Sequence, residues 1–534
     1  MKFRNHFWFF LSLVLVACGQ GGIGLPTANS ETATNGETAV SFNTSDNLLT
    51  IHIDTSQNVH TISPLIYGLS GATTEYIDGL QPTLNSWGGN PSTRYNWEHG
   101  RAWNAGSDWF FRNGNYGFQG ESASDEFLAQ AQAANMAVRL AVPTLGWVAK
   151  NDDNNTCSFP LANGDCGNGN NSNCDSPNEM ADPNRANVPS TPDTVRAWLR
   201  HINQQGFNVR FVATDNEPEL WGYTHYDVHP DCTTYAEILQ TFLTYATAVR
   251  AEIPNAEITG PVTCCWWYYW NSAAGDEDKK ANDGQDFLPW FLDQVRQHDE
   301  ANGSRTLDVL DIHYYPEGVY NNNIEPQTAA LRLRSTRSLW DPNYADESWI
   351  DEPIYLLPRM KQLLADHYPG TKLGLSEWNW GADDTMNGAL AIADVLGILG
   401  REDIYFAAYW RVPPLDSPGF NAFKLYTNFD GQGSRFGDKS VLALAEDGDK
   451  VSSYAAIDSA TGNLHVMLVN KGLDGETAVQ IDLNNFTPQP QAAQYRLQNG
   501  VPGVALTAVD GAATSFATAL PPYSITLLVL EPMN

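Results

Sequence analysis

Residues 209–230 read VRFVATDNEPELWGYTHYDVHP. A mostly apolar run of β type leads straight into Asp215, Asn216, Glu217 and Glu219, with Trp221 close behind. Charged groups ordinarily spread over a solvated face. Here they collect where a strand gives way to a loop. Such a cluster is either surface turn chemistry or the rim of a parallel sheet, where the residues that act on a substrate gather. Which of the two holds depends on what surrounds the stretch.

Working outward, the same unit recurs: a short apolar β run, a loop, then a helix. Eight strand candidates follow one another: LIYGLS (65–70), TLNSWGG (83–89), AVRLAVPTLG (137–146), VRFVATD (209–215), EITGPVT (257–263), LDVLDIHYY (307–315), KLGLSEW (372–378) and IYFAAYW (404–410). Between them lie segments such as TVRAWLRHINQQG and YAEILQTFLTYATAVRAEI, whose apolar residues recur at three and four, as a helix with one buried face requires. The links among the first three strands are less clear. Strands alternating with helices imply a parallel sheet, and eight units over about 350 residues fit a (β/α)₈ TIM barrel, an α/β fold. An open doubly wound sheet is the alternative, but no GxGxxG or P-loop stands where it would need one.

From about residue 440 the texture changes to short strands without long helices. SYAAIDSATGNLHVMLVNKG reads as two strands around a Thr-Gly-Asn turn, and AVQIDLNNF, QYRLQN and SITLLVLEP follow. This predicts an appended C-terminal β-sandwich. The expected organisation is a leader over 1–18, a flexible linker over 19–47, a barrel over 62–435, and a sandwich built from 48–61 plus 436–534.

The N-terminus predicts export. Lys2 and Arg4 precede an apolar run, Phe7 to Ala17, too short to span a bilayer. It stops at Leu15-Val16-Ala17-Cys18, which resembles a bacterial lipobox with Cys18 as the lipid-bearing residue; an ordinary signal peptide with a chance cysteine is the alternative. The expected location is the cell surface or outer membrane through that anchor, or the secreted fraction. Six further cysteines, Cys157, Cys166, Cys174, Cys232, Cys264 and Cys265, suit disulfides in an exported chain. The adjacent pair Cys264 and Cys265 is expected to find separate partners.

The net charge of −32 argues against nucleic acid, which needs a basic surface, and against anionic membranes. It suits a soluble, self-repelling chain, expected as a monomer. Seventeen tryptophans suit either a large aromatic core or carbohydrate binding, where a flat ring stacks on the apolar face of a sugar.

In a TIM barrel the site lies where strands end. Strand four ends in Asp215-Asn216-Glu217 and strand seven in Ser376-Glu377-Trp378. Strand six offers His313, Tyr315 and Glu317, strand eight Trp410, and strand three leads to Trp147. Carboxylates flanked by amides, imidazole and indoles are what glycoside hydrolysis uses: two carboxyl groups flank the scissile bond. Glu217 and Glu377 face one another across the predicted mouth. Asn216 is a candidate donor to a sugar 2-OH. His313 and Tyr315 share one strand face and could position Glu377 or the sugar. Trp221, Trp147 and Trp410 are candidate stacking platforms, with core packing as the alternative for each, and Trp378 is a further candidate for substrate binding.

The likeness becomes specific in longer motifs. WGGNPSTRYNWEHGRAWNAGSDWFF (87–111), DNEPELWGYTHYDVHP (215–230), LDIHYYPEG (310–318), RSTRSLWDPNYADESWI (334–350), GLSEWNWG (374–381) and ADVLGILGRED (393–403) together resemble glycoside hydrolase family 44. The resemblance runs from about residue 48 to the C-terminus and is weaker over the sandwich. It implies a retaining (β/α)₈ barrel acting on internal β-1,4 links of cellulose-type glucans, including xyloglucan, with no cofactor for catalysis. It further implies Glu217 as acid/base and Glu377 as nucleophile. The family usually has tyrosine after that glutamate, whose hydroxyl could donate to the nucleophile; Trp378 offers only an indole N–H. Alternatives are a xylanase or mannanase of the same mechanism, and an inert glycan-binding lipoprotein.

Two features are discounted. His225 and His229 have metal spacing for a helix, but the glutamate of HExxH is missing and Pro230 follows. Residues 151–175 have the composition of a calcium loop without EF-hand spacing, leaving a structural calcium near Asp152 or Asp153, or a polar loop stapled by disulfides. Glu219 is read as structural.

Overall fold

The computed structural model describes residues 48–169, 174, 181–508 and 514–533. The predicted leader, Cys18 and the whole of the linker over 19–47 lie outside the described residues. Eight parallel strands close into a barrel: β1 (Gly68–Ser70), β2 (Leu84–Trp87), β3 (Ala137–Val142), β4 (Phe211–Thr214), β5 (Glu257–Thr263), β6 (Val309–Tyr314), β7 (Lys372–Trp378) and β8 (Phe406–Tyr409). Each falls within its predicted stretch. Strand β8 returns to β1, pairing Ala408 with Gly68, and this closes the ring.

The strands are apolar on both faces because one faces the barrel interior and the other the helices. Leu84, Phe211, Val309 and Phe406, from the even-numbered strands, form one interior cluster with Leu65 and Ala408, the arrangement expected when alternate strands fill a layer. Gly374 is required there, since a Cβ would overlap the Phe406 ring. Further up, the interior is polar. Arg139 of β3 donates from Nε to Asp311 of β6 at 2.8 Å. Asp311 also accepts from Thr259 Oγ1 at 2.8 Å and from the Ser376 N–H at 3.1 Å. A buried ion pair tolerates desolvation only with such added partners.

The enclosing helices start on side-chain caps. Thr191 caps Pro192–Gln204, with a reciprocal bond from Thr194, and Thr234, Thr385 and Ser417 cap three more. Each oxygen satisfies an N–H that has no partner within its helix. Helix Met386–Arg401 is buried along almost its whole length, because it lies between the barrel and the C-terminal sheet. Its Asp394 accepts from Tyr454 Oη at 2.6 Å, and Lys471 Nζ lies 2.8 Å away. These contacts join barrel to sheet.

The C-terminal domain is a ten-stranded sheet. Leu49–Asp54 lies inside it, parallel to Thr477–Asn484 and antiparallel to Lys439–Ala445. The sheet folds around an apolar core that includes Ile51, Ile53, Val466, Leu468, Ile481 and Leu528. Disulfides join Cys157 to Cys166 and Cys174 to Cys232. The third corrects an expectation: Cys264 is bonded to Cys265, its own neighbour, not to a separate partner.

Candidate active site

The turn after β4 is wound tightly. Asp215 and Glu217 both have positive φ, at 79° and 42°, as does Val262 at 65° on the adjacent β5. Left-handed backbone at non-glycine residues is costly and persists where surrounding contacts impose it. Asp215 supplies some of those contacts. It is buried, and its carboxylate accepts from Thr144 Oγ1 at 2.9 Å, the Leu145 N–H at 3.2 Å and the Asn216 N–H at 2.9 Å. It thus pins the loop after β3 to the turn. The Glu217 N–H donates to the Val262 carbonyl at 3.0 Å. The acidic cluster therefore divides: Asp215 anchors the backbone, and Glu217 is held into the mouth.

Strands β6 and β7 pair so that His313 lies opposite Glu377. Its Nδ1 is 2.8 Å from Glu217 Oε1 and 3.4 Å from Glu377 Oε2. Its Nε2 is 3.0 Å from Ser376 Oγ. Tyr315 donates its hydroxyl to Glu377 Oε2 at 2.6 Å. One oxygen of each glutamate and one nitrogen of His313 all lie within 4.8 Å of one another. The spacing would admit a metal ion; equally, the group is two carboxylates sharing one buried site.

That sharing sets the electrostatics. Burial pushes the Glu377 carboxyl up, and the nearby Glu217 pushes it further; His313 and the Tyr315 hydroxyl pull it back. Burial alone would keep His313 neutral, but the charges of Glu377 and Glu217 raise it above its ordinary value. A like charge close by disfavours a second ionised carboxylate, while a cation between them favours it.

Asn216 is buried and donates from Nδ2 to Asn90 Oδ1 at 3.0 Å, and Asn90 donates to Asp108 at 2.7 Å. This relay from the loop after β2 orients the amide beside Glu217. Trp410 is half-buried, and a Cβ on Gly89 would run into its indole; the ring thus lies against the loop after β2. Trp147 is half-buried on a short ribbon pairing Trp147–Ala149 with Asn187–Pro189.

Two site candidates are corrected. Trp378 is fully buried and packs edge-on against Tyr409, with Trp380 and Phe423 nearby. Successive strand residues point to opposite faces, so with Glu377 facing the mouth Trp378 faces the helices and cannot meet a substrate. Trp221 is 2% exposed and packs on His229, so it is core as well. His229 pairs with Glu237 at 2.6 Å, and burial holds the His225 imidazole well below its usual range. Asp152 pairs with Arg101 at 2.6 Å, and Asp153 caps its own turn through the N–H groups of Asn155 and Thr156.

Ser376, Asn90, Asp108 and Arg139 escaped the sequence reading. Strand alternation carries the signal for Ser376 only in part, because the register shifts between Ile312 and His313. The exposed indoles among the described residues are also different ones: Trp109 (37%), Trp267 (42%) and Trp349 (52%), the last two with ring centroids 6.4 Å apart.

A closed (β/α)₈ barrel with two carboxyl groups converging at the C-terminal ends of β4 and β7 defines a glycoside hydrolase of the paired-carboxylate class. Comparison with known proteins narrows the class. Residues 102–318 match the model of glycoside hydrolase family 44. The crystal structure of CelM2, a bifunctional glucanase-xylanase from a metagenome library, is 37% identical, covers 92% of this chain and all of its own, and superposes with a TM-score of 0.86. A family 44 xyloglucanase of Paenibacillus polymyxa, solved with xyloglucan, is 29% identical over 91% of this chain and all of its own, with a TM-score of 0.78. The Beta-mannanase/endoglucanase A of Caldicellulosiruptor saccharolyticus is 28% identical over 511 residues, 85% of this chain; the chain spans 36% of that protein's length. The chain belongs to glycoside hydrolase family 44.

Proposed function

We propose that the protein is a retaining endo-β-1,4-glucanase acting on cellulose-type chains: soluble cellulose derivatives, xyloglucan and mixed-linkage glucan. One observation carries the mechanism: carboxylate oxygens of Glu217 and Glu377 lie within 4.8 Å. Retaining enzymes bring their carboxyl groups to roughly 5–5.5 Å, while inverting enzymes leave more room, for a water molecule. In this reading Glu377 attacks the anomeric carbon as Glu217 protonates the departing glycosidic oxygen. A glycosyl-enzyme ester forms. Glu217, now ionised, takes a proton from water, and the water oxygen displaces Glu377. Tyr315 and His313 favour the ionised form of Glu377 that the first step needs, against the burial that raises its carboxyl. Asn216 hydrogen-bonds the sugar 2-OH, and Trp410 and Trp147 serve as stacking surfaces.

The names of the relatives support the substrate class and keep a second reading open, a xylanase or mannanase using the same pair. The test is the purified protein assayed on carboxymethyl cellulose, xyloglucan, xylan and mannan, beside Glu377→Gln and Glu217→Gln. Turnover on the glucans, abolished in Glu377→Gln and sharply reduced in Glu217→Gln, is expected. Full activity surviving in either variant refutes the assignment.

The remaining proposals rest on sequence. Export and a lipid anchor on Cys18 predict that Cys18→Ala releases the protein from membranes. The chain is proposed to act as a monomer without a catalytic cofactor. A structural calcium near Asp152 and Asp153 predicts a lower Tm with a chelator. An ion there would have to displace Arg101 from Asp152, and an unchanged Tm rejects it.

A further inference from the structure

Glu219 is a buried carboxyl group that the proposed mechanism does not use. It lies two residues beyond Glu217, on the single turn Pro218–Leu220, and is 1% exposed. Its Oε1 accepts the backbone N–H of Cys264, the first residue after β5. Its Oε2 has no hydrogen-bond partner. A half-satisfied buried carboxyl group is costly, and in a native fold such a group calls for a reason.

Three ionisable groups face it: Glu217 from its own turn, His313 from β6 and Tyr269 from helix Trp266–Trp270. Burial pushes its carboxyl up to about 8; Glu217 adds to the rise, and the Cys264 N–H and His313 oppose it. Its protonated form is therefore favoured, which limits the negative charge at the mouth. What it supplies is a tie between two strained segments. The turn holding Asp215 and Glu217 is left-handed at both, and β5 is left-handed at Val262. Two hydrogen bonds bridge these segments: Glu217 N–H to the Val262 carbonyl, and Glu219 to the Cys264 N–H. The first fixes Glu217 from the N-terminal side of the turn, the second from the C-terminal side.

We propose that Glu219 is a positioning residue for Glu217, clamping the turn that carries it to the exit of β5 so that its carboxyl group stays aimed at the glycosidic oxygen. The inference rests on the acid/base assignment of Glu217 made above. A misplaced proton donor has a specific signature. In kcat/KM, which reports formation of the glycosyl-enzyme, it slows a substrate whose leaving group needs protonation and spares one whose leaving group departs unaided. A purely structural defect slows both.

The experiment compares the full-length protein with Glu219→Ala, Glu219→Gln and Glu217→Gln on two substrates: a cello-oligosaccharide with a sugar leaving group, and a 2,4-dinitrophenyl β-cello-oligoside. For Glu219→Ala, kcat/KM on the oligosaccharide should fall roughly 10- to 100-fold, the scale of a misplacement of about 1 Å, with less than about threefold loss of kcat/KM on the dinitrophenyl substrate, because kcat/KM reports formation of the glycosyl-enzyme and not the later step in which Glu217 serves as base. Glu219→Gln should be close to the parent, because its amide oxygen still accepts from Cys264. Equal losses on both substrates, no loss, or a Gln variant as poor as Ala overturns the proposal. Should Glu219→Ala not fold, Glu219→Asp, which draws the acceptor back by one methylene, meets the same criterion. Glu217→Gln separates the two readings. If it shows no dependence on leaving group, the acid/base assignment fails. If it does and Glu219→Ala does not, only the role of Glu219 fails.

Discussion

The two ends of the barrel carry charged clusters built on the same strands, and they are wired in opposite ways. At the foot, Glu257 opens β5 and Lys372 opens β7, with Arg210 just before β4 and Tyr405 just before β8. Lys372 Nζ is 2.9 Å from Glu257 Oε2, Arg210 Nε is 3.5 Å from Oε1, and the Tyr405 hydroxyl donates at 2.5 Å. Burial works against the Glu257 charge, but Tyr405, Lys372 and Arg210 outweigh it and hold the carboxyl below its usual range. At the mouth, Glu377 ends the same β7 beside a second carboxylate, with a histidine and a tyrosine for company. Burial wins, and its carboxyl is raised. A carboxylate surrounded by cations is locked into one state and serves stability. One sharing its site with another can be poised between two states, as acid–base chemistry requires. Strand β7 thus carries a charge-paired residue at one end and, in the proposed mechanism, the reactive carboxylate at the other.

The largest expected effect comes from exchanging one glutamate at each end. Glu377→Gln should lower kcat on a glucan by at least about 10⁴-fold while leaving thermal unfolding unchanged or shifted upward, since a strained charge is removed. Glu257→Gln should do the reverse: near-parental activity and a loss of about 1–2 kcal/mol in stability. If both variants lost activity alike, the division between the ends would collapse.

Removing one hydroxyl at each end is gentler. Tyr315 stabilises ionised Glu377, so Tyr315→Phe should raise the pKa of the proposed nucleophile. Attack requires the ionised form, so the acidic limb of the kcat/KM profile should move to higher pH, by about one unit for a hydrogen bond worth roughly 1.5 kcal/mol. Tyr405→Phe at the foot should leave that profile in place and cost about 1 kcal/mol of stability. An unmoved acidic limb in Tyr315→Phe would break the link between the Tyr315 bond and the ionisation of Glu377.

The smallest effect lies in how stability depends on pH. The folded pKa of Glu257 is below its unfolded value, so its contribution is present above about pH 4.5 and lost as pH falls through the folded value. Glu219 has the opposite sign. Its folded pKa, about 8, lies above the unfolded value of 4.5, so it weakens the fold progressively as pH rises from about 4.5 to about 8. In thermal scans, Glu219→Gln should therefore gain on the parent with rising pH through that window. Glu257→Gln should lose its deficit only on acidification.

Much of this was legible in the sequence because repetition is a strong signal. The β5 and β7 stretches, EITGPVT and KLGLSEW, match the observed strands residue for residue, and all eight predicted strands enter one barrel. Their ends bring Glu217, His313, Tyr315 and Glu377 together. What was not legible depends on contacts between distant segments. Trp378 could have been excluded by alternation alone, but Trp221 needed the fold to show that its short helix turns inward. The bond between Cys264 and Cys265 runs against the habit of separate partners. Ser376 became part of the site through a register shift that no periodicity announces. Glu219 reads as structural in the sequence, but Pro-Glu-Leu after a strand is ordinary turn composition and does not say what the side chain holds; its burial and its contact with the Cys264 N–H do.

The stereochemistry of cleavage separates retention from inversion most directly. Proton NMR of a cello-oligosaccharide digest, followed from the first minutes before mutarotation, reads the configuration of the newly formed reducing end. A carboxylate pair as close as Glu217 and Glu377 predicts that the β-anomer appears first and only later relaxes toward equilibrium. The α-anomer appearing first would mean inversion, and would contradict the proposed attack by Glu377 on the anomeric carbon.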